Sequence, residues 1–321
     1  MERAYLGRSE IRVSRIVLGC GNFGGIGSAP AFFGRGETRE QAFAMMDAAW
    51  ERGITTFDTA DAYGGGRSET WIGDWLRTKA PDVREHVVLS TKTFNPMDEG
   101  EDHGLAPARI RRQLESSLRR LGVERVDMYL THDWDPEVPV AETLGTLDEL
   151  VHDGKIAAFG ASNVDGTQLR EALAVELPTR YEWVQNSYSL LDRDVEHDVL
   201  PLCEERGLGF TPFSPLAGGW LAGKYARGEP PPAGSRMAQR PEPYVRFLED
   251  ERVWRGLARL TKAAEDRGAA PAQLAIAWLL AEPRVTAVVV GPRSPQQLEP
   301  ALDALAAPLT SAERDEISHC F

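Results

Sequence analysis

Three apolar runs in this 321-residue sequence end on residues able to move protons. The stretch FDTADAYGGGRSE carries Asp58 and, in the loop after it, Tyr63; LSTK ends on Lys92, and YLTHD carries His132. Singly, each is an ordinary polar strand terminus. Brought to one place, they make a proton donor. An adjacent ammonium lowers the phenol's usual pKa of about 10, and a shift of about two units corresponds to about 2.7 kcal/mol. Asp58 would hold Lys92 charged and oriented, while His132 would hydrogen-bond a substrate oxygen and align it with the phenol. No residue is placed as a nucleophile, and no Ser-His-Asp set, acid-base carboxylate pair or metal cluster competes. A carbonyl oxygen protonated this way still needs a reducing equivalent, which points to a nicotinamide cofactor.

Those four residues converge only if the chain folds as alternating strands and helices. Eight short β-prone runs, RIVLG, TTFDTA, VVLSTK, RVDMYLTH, IAAFGAS, YEWVQNSYS, GFTPFSP and TAVVVG, are bounded by Gly, Pro or charge. Between them lie helical-period segments such as REQAFAMMDAAWERG, PARIRRQLESSLRRLG, AETLGTLDELVHDG and AQLAIAWLLAEP. With no linker or composition break near the middle, the pattern predicts one (β/α)₈ TIM barrel domain over residues 1–321, whose active site gathers at the C-terminal strand ends. AYLGRSEIRVS predicts an N-terminal β-hairpin closing the barrel bottom, and the Pro-rich residues 226–243 predict a long loop after strand seven. GCGNFGG has the G-x-G-x-x-G spacing of a dinucleotide fingerprint, but helical periodicity resumes only near Glu37 and no acidic strand end follows. Gly19 and Gly21 are read instead as the end of the first barrel strand.

The charge balance, 49 Asp plus Glu against 36 Lys plus Arg, argues against a nucleic-acid partner. Cys20, Cys203 and Cys320 lack metal-ligand or C-x-x-C spacing and read as thiols in a reducing compartment. The acidic stretch DEGED, residues 98–102, reads as a solvated loop, not a metal site. With no signal-like or membrane-length apolar segment, the expectation is a cytoplasmic protein without a membrane partner. Its oligomeric state is left open.

The motifs FDTADAYGGGRSE, STK, LTHDW, GKIAAFGASN, WVQNSYSLLDR and FTPFSPLAGGWLAGKY, in this order, resemble those of the aldo-keto reductase superfamily. The resemblance implies a barrel that uses NADPH to reduce a small-molecule carbonyl substrate, an aldehyde, ketone or sugar-like compound, with Asp58, Tyr63, Lys92 and His132 as the catalytic tetrad. It places Asn22 near the nicotinamide ribose, with Gly21 leaving room for the cofactor, Ser162, Asn163 and Gln185 on the carboxamide, and Phe213 against the ring. It assigns Ser214, Leu216, Gly218 and Leu221 to the pyrophosphate, Lys224, Arg236, Arg293 and Gln297 to the region of the 2′-phosphate, and Pro215 and Gly291 to the cofactor site more generally. Pro300 and Ala301 depart from the Glu-Asn that many relatives carry at the adenine end. Phe33, Trp134 and Trp220 are candidate pocket walls. Two other activities fit the same residues: an NAD(P)-dependent alcohol or sugar dehydrogenase working oxidatively, and a cofactor-binding regulatory subunit with slow turnover.

Overall fold

The first two strands, β1 (Arg3–Tyr5) and β2 (Arg12–Ser14), pair antiparallel as the expected hairpin. In this computed structural model, which describes residues 1–100 and 102–321, eight parallel strands follow. Glu101, within the acidic stretch, lies outside the described residues. The strands are β3 (Ile16–Gly19), β4 (Thr56–Asp58), β5 (Val88–Thr93), β6 (Val126–Thr131), β7 (Ile156–Ser162), β8 (Tyr181–Gln185), β9 (Gly209–Phe210) and β10 (Val288–Val290). Each pairs with its sequence neighbour, and β10 pairs with β3. Backbone bonds from Thr286 to Phe210 (2.8 Å) and from Val289 to Pro212 (2.9 Å) join the last two strands and close the ring. The fold is a (β/α)₈ barrel with an added hairpin.

Alternation along the strands divides the core in two. Val17, Met128, Leu130, Ala158, Trp183 and Val289 form one buried cluster with Leu6 and Val13 of the hairpin segment. The hairpin thus plugs the bottom of the ring. Gly7 makes the close approach possible: its φ is +59°, and a Cβ there would lie 2.1 Å from the Glu182 carbonyl oxygen. The other strand face packs on the helices in a larger cluster that includes Leu18, Phe57, Tyr129 and Phe159.

The helices begin and end where the sequence signals. Arg39–Glu51 starts on a Thr38/Gln41 capping box, Pro107–Leu121 starts on proline and stops at left-handed Gly122, and Gly166–Leu173 uses Asp165/Gln168. Between β9 and β10 the chain adds the long loop and then two helices, Glu251–Asp266 and Pro271–Leu280. Among the described residues no helix is long and apolar enough to cross a membrane. All three cysteines are buried and unpaired with one another.

Candidate functional site

Strand register sets the polar cluster. Asp58 closes β4 beside Ser90 of β5, and Lys92 lies farther along β5 beside Leu130 of β6, so both reach the C-terminal mouth. Lys92 Nζ donates to Asp58 Oδ2 (2.5 Å) and to the Thr59 carbonyl (2.8 Å), and lies 5.2 Å from the centre of the Tyr63 ring. Asp58 Oδ1 accepts from Ser90 Oγ (2.8 Å) and Gln185 Nε2 (3.0 Å). Tyr63 Oη and His132 Nε2 stand 3.5 Å apart, with the two rings edge to face. The structure therefore brings all four residues together.

The charges differ in one respect from the sequence expectation. Burial pushes the Tyr63 phenol above its ordinary value, outweighing the lowering by Lys92, so the hydroxyl stays protonated at neutral pH. Burial opposes the Lys92 charge, but Asp58 and Tyr63 together raise its pKa. Burial, assisted by Lys92, drives His132 far below its usual value and keeps the imidazole neutral. Its Nδ1 is buried without a hydrogen-bond partner among the described residues.

Beyond the tetrad, Ser162 Oγ donates to the Gln185 carbonyl (2.8 Å), and Asn163 Nδ2 donates to the His132 carbonyl (2.8 Å), which ties β7, β8 and the β6 end into one rim. Asn163, Ser214 and Ala217 adopt left-handed backbone, and Gly218 and Gly219 continue that geometry. Such strain in non-glycine residues marks a loop held in shape by its surroundings. The loop 226–243 then folds back over the first barrel loop. Arg236 donates to Asn22 Oδ1 (3.0 Å), while Arg240 donates to the Ile26 carbonyl (3.2 Å) and lies over the Phe32 ring. Arg293 pairs with Glu37 at 2.8 Å.

The sequence model of the aldo/keto reductase family matches residues 15–321. The chain belongs to the aldo-keto reductase family. It is 37% identical to an uncharacterized oxidoreductase of Bacillus subtilis, over 95% of this chain and 91% of the relative. It is 33% identical to the NADH-specific methylglyoxal reductase of Escherichia coli, over 98% and 96%. A putative voltage-gated potassium channel subunit beta of Schizosaccharomyces pombe is also 33% identical, over 92% and 85%.

Aldo-keto reductases use nicotinamide cofactors, and the residues at this mouth fit one. Gly21 leaves the Tyr63 ring uncovered, since a Cβ there would sit 3.5 Å from it. Gly291 faces the Gly19 carbonyl and Asn22 with no side chain between. Ser214 and the run Ala217, Gly218 and Gly219 take left-handed backbone, the Ala217 and Gly219 N–H groups donate to the Ser214 and Leu216 carbonyls (2.9 Å each), and the Lys224 side chain lies against Gly219. Phe213 and Leu216 are partly exposed, and Pro215 is buried.

The other expected positions differ in exposure. Trp220 is fully buried among Tyr225, Phe247 and Trp254, so it packs beneath the loop and walls no open pocket. Leu221 is fully buried as well, and its backbone N–H donates to the Leu216 carbonyl (3.3 Å). Phe33 packs over the Gly65 backbone next to Tyr63, and Trp134 is half-buried two residues past His132, so both remain at the rim. Gln297 Oε1 accepts from the Arg293 backbone. Ala301 is buried and Pro300 opens the helix Glu299–Ala306, so neither replaces the missing polar pair. Sequence reasoning missed Glu37, hidden before the Thr38 cap, and Asp61, an acid inside a buried run beside two tetrad members.

Proposed function

We propose that this aldo-keto reductase reduces a small-molecule aldehyde, ketone or sugar-like carbonyl to an alcohol with NADPH, Tyr63 acting as the general acid. The observation that carries the reading is the buried Asp58–Lys92 pair beside a protonated Tyr63 that touches His132. A nicotinamide held at this mouth would supply hydride to the carbonyl carbon. Tyr63 gives its proton to the carbonyl oxygen as negative charge develops there, and the Lys92 ammonium, fixed by Asp58, stabilises the phenolate that results. Neutral His132 orients the substrate oxygen without competing for the proton. Phe33 and Trp134, both partly exposed, stand at the rim of this mouth.

Gly21, Asn22, Ser162, Asn163 and Gln185 are assigned to the nicotinamide half, with the Phe213 ring against it. The turn Ser214, Pro215, Leu216, Gly218 and the Leu221 backbone take the pyrophosphate. Lys224, Arg236 and Arg293 favour a 2′-phosphate through charge-assisted bonds, with Gly291 and Gln297 beside them. The name of the Escherichia coli relative shows that family membership leaves the choice between NADPH and NADH open. Tyr63→Phe tests the assignment. Loss of a positioned acid lowers the carbonyl reduction rate by about 10²- to 10⁴-fold, while NADPH affinity, measured by fluorescence titration, stays within about threefold. Reduction at the wild-type rate overturns the mechanism.

A further inference from the structure

Arg293 already has partners where a phosphate-binding cation is expected to be free. Its Nε donates to Glu37 Oε1 (2.8 Å), and its Nη1 donates to the Gly234 carbonyl and to Gln239 Oε1 (3.0 Å). Glu37 is 4% exposed, and its second oxygen, Oε2, is buried with no hydrogen-bond partner among the described residues. Glu37, Arg293, Arg236, Gln239 and Asn22 line one small cavity. A carboxylate of the protein's own thus lies against the cation assigned to the 2′-phosphate.

We propose that Glu37 is a specificity-determining residue that narrows the preference for NADPH and lets the site accept NADH. The proposal rests on reading the barrel mouth beside this cavity as the dinucleotide site. A 2′-phosphate that takes Arg293 leaves Glu37 buried, charged and without its partner, and adds phosphate repulsion to the loss. A ribose 2′-hydroxyl makes neither demand, and it can donate to an acceptor such as Oε2. A carboxylate that accepts from that hydroxyl is the general device by which dinucleotide sites select the unphosphorylated ribose. Burial raises the Glu37 pKa, while the Arg293 guanidinium opposes the shift, so removal of Arg293 by a ligand also weakens the hold on the charged form.

Glu37→Gln keeps the shape and removes the charge. Calorimetric titration of wild type and variant with 2′,5′-ADP, 5′-ADP, NADPH and NADH reads binding without turnover. The proposal expects 2′,5′-ADP and NADPH to bind at least tenfold more tightly to the variant, while 5′-ADP and NADH bind equally or more weakly. Equal changes for phosphorylated and unphosphorylated ligands mean that Glu37 merely latches the loop, and they overturn the proposal, as does an unchanged ratio. Wild type that binds none of the four overturns the assignment of the mouth itself, and the Glu37 proposal with it. If the Gln variant does not fold, Glu37→Ala, which also removes the carboxylate, is expected to shift the ratio in the same direction; no shift overturns the proposal.

Discussion

Asp61 shows how far one residue's environment departs from its sequence context. It lies between Asp58 and Tyr63, fully buried, with its backbone N–H on the Lys92 carbonyl (3.0 Å) and Oδ2 accepting from Thr93 Oγ1 (2.7 Å). Oδ1 has no partner among the described residues. Glu69, also fully buried, pairs with Arg120, and Arg109 donates to Thr93. Burial first, and Glu69 second, raise Asp61 from 3.8 to about 7. In the unfolded chain the carboxyl loses its proton near the ordinary value, whereas the folded chain retains it until about 7. Stability is therefore full below about pH 4 and falls as pH rises to 7. Each unit of separation is worth about 1.4 kcal/mol. Asp61→Asn is neutral throughout, so its urea midpoint is expected to change less between pH 5 and pH 8 than that of wild type. A variant that loses as much stability as wild type over this range removes Asp61 as the source.

The loop 226–243 is legible in the sequence as a loop, but not in what it touches. Its proline and glycine content predicts a connection without regular structure, and the chain forms only the single turn Arg236–Gln239 there. Its contacts are nevertheless specific, and they run to the first barrel loop, far away in sequence. Arg240 contributes a bond to the Ile26 carbonyl and a stacked contact on Phe32. A partly exposed cation–π contact is worth about 0.5–1 kcal/mol, and the hydrogen bond about as much again. Arg240→Ala is expected to loosen the strap and raise the NADPH dissociation rate about three- to tenfold in stopped-flow fluorescence. An unchanged rate means the cofactor leaves without moving this loop. Arg293 and Glu37 belong to the same closure, so the two variants separate by their readouts: Arg240 changes rates for both cofactors, and Glu37 changes their ratio.

At the scale of the molecule, the barrel, its eight strands, the hairpin and the convergence of Asp58, Tyr63, Lys92 and His132 were legible because apolar period and strand-end polarity are local patterns. What was not legible depends on competition across the ring. The sign of the Tyr63 shift is set by burial against one ammonium, and the burial of Trp220 by three aromatic residues that periodicity does not connect. The hairpin-packed bottom of the barrel is likewise separate from the mouth to which the chemistry is assigned. Leu6 is fully buried against Val17, Trp183 and their neighbours, below the strand ends that carry the tetrad. Leu6→Ala removes buried apolar volume in a site fixed by the Gly7 approach to Glu182, where little collapse is open to it. Truncation of a buried leucine of this kind costs about 2–5 kcal/mol. The urea midpoint of the variant is expected to fall accordingly, while KM for NADPH and the reduction rate at 25 °C stay within about twofold of wild type. A parallel loss of activity in still-folded protein means that the hairpin plug transmits its packing to the mouth, and that the two ends of the barrel are not mechanically independent.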